Sequence, residues 1–301
     1  MKRYLGIIFA MISASTFGLI PIFSIPALQA GLSVNNVLFW RFCLATIFLG
    51  TFLLVRKHSI KVKKDEFLSL AGLISLSGTT AFCLMKSYMY IPSGVATTIH
   101  FLYPVLVTLL MVVFFKEKFT PWFGLAVVLA VSGVASISGL SSGGDINMAG
   151  IGFALMTVLT YALYIVGINK TKASRMNSLT MTFYVMVMLM TFFFTLSMID
   201  GGITMIPNAK IFGDISLLAL LPTLLSNFTL ILAIKNVGST TTAIMGCVEP
   251  VTAVLLGVMF LGEPLHVHHL IGIGLIIASV SFVILGDKIA ALFGALNHSK
   301  N

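Results

Sequence analysis

Charge is what this chain has least of. Asp, Glu, Lys and Arg make up 9% of its 301 residues and apolar side chains 58%, whereas soluble domains carry about 25% charged residues. A folded surface must face water, and a soluble core cannot absorb such an apolar excess. The composition therefore excludes a soluble enzyme, a disordered chain and a nucleic-acid-binding domain; lipid is the solvent for most of the sequence. Cysteine is scarce too. Cys43, Cys83 and Cys247 each sit inside an apolar run, without the spacing of a zinc site or a disulfide framework, and read as packing residues. There is no Gly-x4-Gly-Lys-Ser/Thr loop, hence no built-in ATPase motor of that type, and no His-Glu-x-x-His helix. No metal or cofactor is expected. Acidic residues are rarer than basic ones, 9 against 18, and in a membrane protein that excess reads as orientation rather than as an acidic partner.

What the chain does have is long apolar runs. Crossing the hydrocarbon takes about 20 apolar residues, and ten segments meet or approach this: 4–28, 34–55, 67–90, 93–115, 121–139, 149–168, 178–199, 213–235, 238–261 and 266–286. The first lacks a small-residue cleavage site and reads as a retained helix. With the N-terminus inside, cytoplasmic loops hold Lys2, Arg3, Arg56, Lys57, Lys61, Lys63, Lys64, Lys116, Lys118, Lys170, Lys172, Arg175, Lys235 and Lys288, and the outer loops only Lys210. Basic residues accumulate in cytoplasmic loops, so both termini are expected in the cytoplasm. The expected fold is an all-α membrane protein of ten transmembrane helices, with 288–301 a cytoplasmic tail too short to span again.

The two halves of the chain resemble each other. Gly6 to Ala10 matches Gly150 to Ala154, and Thr16 falls opposite Thr160. A second stretch, about 87–134, aligns without a gap: Ser93 with Ser239, Pro104 with Pro250, Leu109 with Leu255, Phe114 with Phe260, Glu117 with Glu263. Five spans per half is an odd number, so the second half starts on the opposite face and the repeat is inverted, a recurrent plan of secondary transporters with the substrate held between the halves. The expected units are 1–140 and 141–287. The run Tyr90 to Thr98, then Tyr103, Pro104 and Val105, then Glu117, with a second copy in Glu249, Pro250 and Val251 followed by Gly262, Glu263 and Pro264, resembles the EamA family of the drug/metabolite transporter superfamily. That resemblance implies a secondary transporter, often an exporter of amino acids or other small metabolites, with a cavity between the halves.

An ionisable residue inside a span is a functional hypothesis by default. Glu249 lies near the midplane of its span, ahead of Pro250, on a small, polar face with Thr242 and Gly246. It is expected to bind a substrate cation or carry a coupling proton; the alternative is a permanent pair with Lys86 or Arg41. His100 could relay a proton or hold two helices together, and Tyr103 occupies the repeat position of Glu249. Lys86 could attract an anionic group or snorkel to the headgroups. Arg41 could bind a carboxylate through its guanidinium fork or clamp backbone carbonyls. Asn227 and Tyr161 are candidate ligand contacts, and Pro104 and Pro250 are expected to kink helices facing the cavity. The run His266, Val267, His268, His269 reads as an interfacial cluster rather than a metal site.

The expected function is a secondary transporter, an exporter of small metabolites such as amino acids, in the bacterial cytoplasmic (inner) membrane. Its partners would be a small-molecule substrate, the bilayer and a coupling proton, with no nucleic acid, and it would work as a monomer or a homodimer. The alternatives are a flippase of a lipid-linked substrate on the same fold, which would need a lateral opening, and an intramembrane enzyme, against which stands the single carboxylate near the midplane.

Overall fold

The computed structural model describes residues 2–87, 89–91, 96, 99–117, 121–137, 147–261 and 266–298. The expectations placed on Ser93, Thr97, Thr98, Lys118 and residues 262–265 lie outside these. Among the described residues the chain is helical without strands. The helices are α1 (Lys2–Phe17), α2 (Ile20–Gln29), α3 (Val34–Val55), α4 (Lys64–Ser87), α5 (Tyr103–Phe115), α6 (Pro121–Ile137), α7 (Met148–Lys170), α8 (Ser178–Ile199), α9 (Ala209–Leu218), α10 (Ser226–Met245), α11 (Val248–Leu261) and α12 (Val267–His298). Among the described residues six helical stretches are long and apolar enough to cross a membrane, α1 with α2 counting as one and α9 to α10 as another; α5, α6 and α12 add shorter apolar stretches.

The helix ends follow from local chemistry. Ser33, Asn147, Asn177 and Asn208 cap α3, α7, α8 and α9, each side chain accepting a backbone N–H that no helical carbonyl can reach. The apolar runs read as unbroken are in fact interrupted. The first pauses between Phe17 and Ile20, before Pro21. The eighth starts earlier than expected, at Ala209, and widens into a π-helical segment over Ala219–Leu225 around Pro222; a proline cannot donate to the ladder, and the wider turn absorbs the missing bond. Gly238, at φ 81°, turns the chain within α10, a backbone region that glycine enters without steric cost. The last helix runs without a break to His298, so residues 288–298 prolong it instead of forming a separate tail.

Four antiparallel pairs organise the bundle, each joining an early helix to a late one. In α1 and α10, Ser13 and Ser226 each donate a side-chain hydroxyl to the other's carbonyl, at 3.0 and 2.9 Å. In α4 and α7, Thr80 and Thr160 hydroxyls meet at 2.7 Å. Between α3 and α8, the Phe42 and Phe193 rings stack 5.7 Å apart, and His58 Nε2, in the loop after α3, lies 3.1 Å from Thr180 Oγ1. In α6 and α12, Ser279 donates to the Ala126 carbonyl at 2.7 Å, Ser136 to the His268 carbonyl at 2.9 Å, and Trp122 stacks on Phe282. Lipid is as apolar as leucine, so hydroxyl bonds and small residues that allow close approach hold such pairs together. Two glycines show this in matching places. A Cβ on Gly6 would strike Asn236 and Val237, and one on Gly150 would strike Tyr90 and Ile91. Tyr90 and Ile91 are the residues aligned with Asn236 and Val237 in the repeat.

Candidate functional site

Two buried polar clusters lie where early and late helices meet. The first is aromatic. The Tyr103 and Tyr161 rings meet edge to face with centroids 4.7 Å apart, and His100 stands 5.3 Å from each. Tyr164 stacks 6.2 Å from Tyr161, and Phe101 lies 5.8 Å from Tyr103. Thr157 gives its one hydroxyl hydrogen to the Ala154 carbonyl at 2.6 Å and lies 2.9 Å from His100 Nδ1. With the Thr157 hydrogen on the Ala154 carbonyl, Nδ1 is the donor of this contact. Tyr103 donates to the Ala243 carbonyl at 3.2 Å, which ties the start of α5 to the end of α10.

Glu249 enters this cluster from the first turn of α11 and is partly buried. Its charge acts on Tyr103, Tyr161 and Cys247, and the opposite charge it feels among the described residues is that of Arg41. Lys86, the other partner weighed for it, is held elsewhere, with Nζ over the Phe82 ring 5.8 Å from its centroid.

Arg41 organises the second cluster. It is 7% exposed. Its Nε donates to Thr223 Oγ1 and its Nη2 to the Pro222 carbonyl at 3.2 Å. Thr223 passes its hydrogen to the Leu218 carbonyl at 2.7 Å, and Asn227 Nδ2 donates to the Thr223 carbonyl at 2.7 Å. Arg41 thus clamps the π-helical turn, while its remaining guanidinium hydrogens belong to a charge coupled to Glu249. Asn227 serves this backbone turn, and Thr242 Oγ1 donates to the Gly238 carbonyl at 2.7 Å, back along its own helix.

The two prolines begin helical segments instead of bending continuous ones. Pro104 opens α5 after a turn at Phe101 and Leu102, and Pro250 lies in the first turn of α11 after a break at Gly246 and Cys247. Across that break the Glu249 N–H donates to the Gly246 carbonyl at 3.0 Å. The histidine run at the start of α12 holds its rings 4.2–5.5 Å apart, and among the described residues no three His, Cys, Asp or Glu side chains are arranged for a metal.

Sequence reasoning overlooked Gly246 as a packing site and Thr157 and Thr223 as hydrogen-bond partners. Thr157 carried a signal, because the first repeat register sets it opposite Ser13; Thr223 carried one in Pro222 beside it. A Cβ on Gly246 would overlap the Tyr103 hydroxyl and come within 3.0 Å of the Ala243 carbonyl. Gly246→Ala is therefore expected to lower stability by about 1–3 kcal/mol, the usual cost of overpacking. Adding Tyr103→Phe, which removes the colliding oxygen, should recover most of the loss. Melting curves of the two single variants and the double variant in detergent check this; strictly additive losses would discard the contact.

The comparisons agree with this architecture. The profile of the EamA-like transporter family matches residues 4–139 and again 148–285. An uncharacterized transporter of Archaeoglobus fulgidus is 24% identical over 255 residues, 81% of this chain and 86% of its own length. The Escherichia coli K12 protein named uncharacterized inner membrane transporter YedA is 27% identical over 254 residues, 82% of this chain and 80% of its own. A crystal structure only 14% identical in sequence superposes with a TM-score of 0.83 over 95% of this chain and 99% of the other, which speaks for the fold alone. With the family profile covering nearly its whole length in two copies, this multi-pass membrane chain belongs to the EamA-like transporter family.

Proposed function

We propose that the chain is a secondary transporter that exports a small metabolite, with amino acids the favoured class, by alternating access between two five-helix halves, 1–140 and 141–287, crossing the membrane ten times. The observation that supports the substrate class is the packed cluster of the His100, Tyr103 and Tyr161 rings, with the Glu249 charge acting on both tyrosines and the Arg41 charge acting on Glu249. A carboxylate and a guanidinium within electrostatic reach of each other suit the ammonium and carboxylate of a zwitterion, and the rings suit its side chain or its cation. Supporting alternating access are the four early–late helix pairs, held by a few hydroxyl bonds and close approaches that two rigid halves can exchange as they rock.

Counterflow in liposomes containing the purified protein tests the reading. Preloaded amino acid should accelerate entry of the labelled one at least about tenfold over protein-free vesicles, and organic cations or sugars should not. Lipid movement without any metabolite exchange would replace this reading with the flippase. The proposed orientation, termini in the cytoplasm of a bacterium's inner membrane, has its own check. In a background lacking Cys43, Cys83 and Cys247, Met205→Cys should react with an impermeant thiol reagent added outside intact cells, and Ile60→Cys only after lysis; both positions are exposed. Labelling in the reverse order would invert the topology.

A further inference from the structure

A cavity lies away from both polar clusters. It is a slot of about 590 Å³ between α4 and α8, open at the surface of the two apolar helices. Phe67, Ile74, Tyr184, Met188, Phe192 and Leu196 form its walls. The hydroxyls along it are turned inward to backbone: Ser75 donates to the Gly72 carbonyl at 2.8 Å, Thr191 to Val187 at 2.9 Å and Thr195 to Thr191 at 3.0 Å. The slot therefore offers a ligand only hydrocarbon surface. From Tyr184 to Leu196 it follows α8 for about 18 Å, close to the ~15 Å depth of one leaflet's hydrocarbon.

One end of the slot is basic. Phe67 meets Tyr184 edge-on there, with centroids 5.7 Å apart, and Tyr184 donates its hydroxyl to the Ile60 carbonyl at 3.1 Å. That bond fixes the segment leading into α4 at the mouth, and with it the exposed side chains of Lys61, Lys63 and Lys64. Two acids lie nearby, and one of them, Glu66, keeps its charge, so the lysines outnumber the acid left without a cationic partner. Asp65 pairs with Lys172 at 3.3 Å, and Glu66 Oε2 accepts the Lys63 N–H at 3.2 Å. Among the described residues, the three ammonium groups have no acidic partner.

We infer that this slot is the site of one resident anionic glycerophospholipid, with an acyl chain between α4 and α8 and its phosphate at Lys61, Lys63 and Lys64. An apolar slot facing the bilayer takes up a lipid chain, and basic groups at its mouth select the headgroup charge. The lipid joins an early helix to a late one outside the substrate cluster, so it is a bound component and not cargo.

Native mass spectrometry of the full chain in detergent, with phosphatidylglycerol and phosphatidylcholine in competition, tests this. One phosphatidylglycerol should be retained with a preference of at least about tenfold, the scale that several near-surface lysines supply. Lys61→Gln, Lys63→Gln and Lys64→Gln together should bring the two lipids to parity. Ser75→Trp, which fills the slot, should remove both. The lysines are exposed, so the triple variant folds on the same core and decides the matter even where Ser75→Trp does not fold. Equal binding of the two lipids by the parent chain, or a preference that survives the triple substitution, overturns the assignment. So does rapid movement of fluorescent phosphatidylglycerol between leaflets of liposomes holding the protein, which would make the lipid cargo.

Discussion

Glu249→Gln is expected to reduce transport driven by a pH gradient to background while leaving substrate exchange within about twofold of the parent. Exchange needs binding and rocking of the two halves but no net proton movement, so a residue that carries the coupling proton is dispensable for it. Glutamine keeps the shape of the side chain and removes only the group that takes up and releases the proton. If Glu249 instead holds the substrate ammonium, exchange fails together with driven transport, because a neutral amide does not compensate a desolvated cation. If Glu249 serves only to neutralise Arg41, the loss shows in folded yield. Stranding one charge of a buried pair costs about 3–5 kcal/mol, and a second change, Arg41→Gln, should then recover the part of the loss that comes from the unpaired guanidinium. Driven transport, exchange and folded yield measured on the same variant separate these three roles. Full activity in all assays would falsify both the proton and the ammonium assignments.

Arg41→Met should unfold the protein or lower its melting temperature more than any exposed substitution. The side chain is buried, donates to Thr223 and to the Pro222 carbonyl, and lies against the Phe42 ring at 5.4 Å. Methionine fills most of the volume but leaves the Pro222 carbonyl without its donor. A stranded buried acceptor costs about 1–3 kcal/mol, and the lost ionic partner of Glu249 adds to it. Arg41→Lys keeps the charge but replaces the planar fork with a point donor, so it should fall between parent and methionine. The π-helical turn at Ala219–Leu225 gives the measurement a local readout: hydrogen exchange of the amides following Pro222 should quicken in Arg41→Met well before global melting. An unchanged exchange pattern would mean that the turn holds itself and that Arg41 is free for substrate.

The sequence alone determined the solvent, the element type and the register of the repeat. Each follows from local or periodic information. Length and apolar content place the helices in lipid, and the gapless alignment through Pro104 and Pro250 pairs one half with the other. It also named Glu249, His100, Tyr103, Tyr161 and Arg41, because polar groups inside apolar runs are conspicuous. What it could not decide was which of them meet. Lys86 was as good a partner for Glu249 as Arg41 until the fold turned its ammonium onto Phe82. Nor did the sequence show that Asn227 gives an amide hydrogen to the Thr223 carbonyl.

Only the tertiary structure placed the breaks inside the runs, at Phe17 to Ile20, at the π-helical turn and at Gly246, and continued the last helix past Lys288. The physical reason is that a membrane removes the signal on which soluble proteins depend. A helix surrounded by lipid is apolar on the face it packs and apolar on the face it exposes, so periodicity no longer tells inside from outside. Which faces meet is settled by small residues such as Gly6, Gly150 and Gly246, and by single hydroxyl bonds between distant residues, as between Ser13 and Ser226. Those contacts join positions far apart in the chain, and no local pattern encodes their distance.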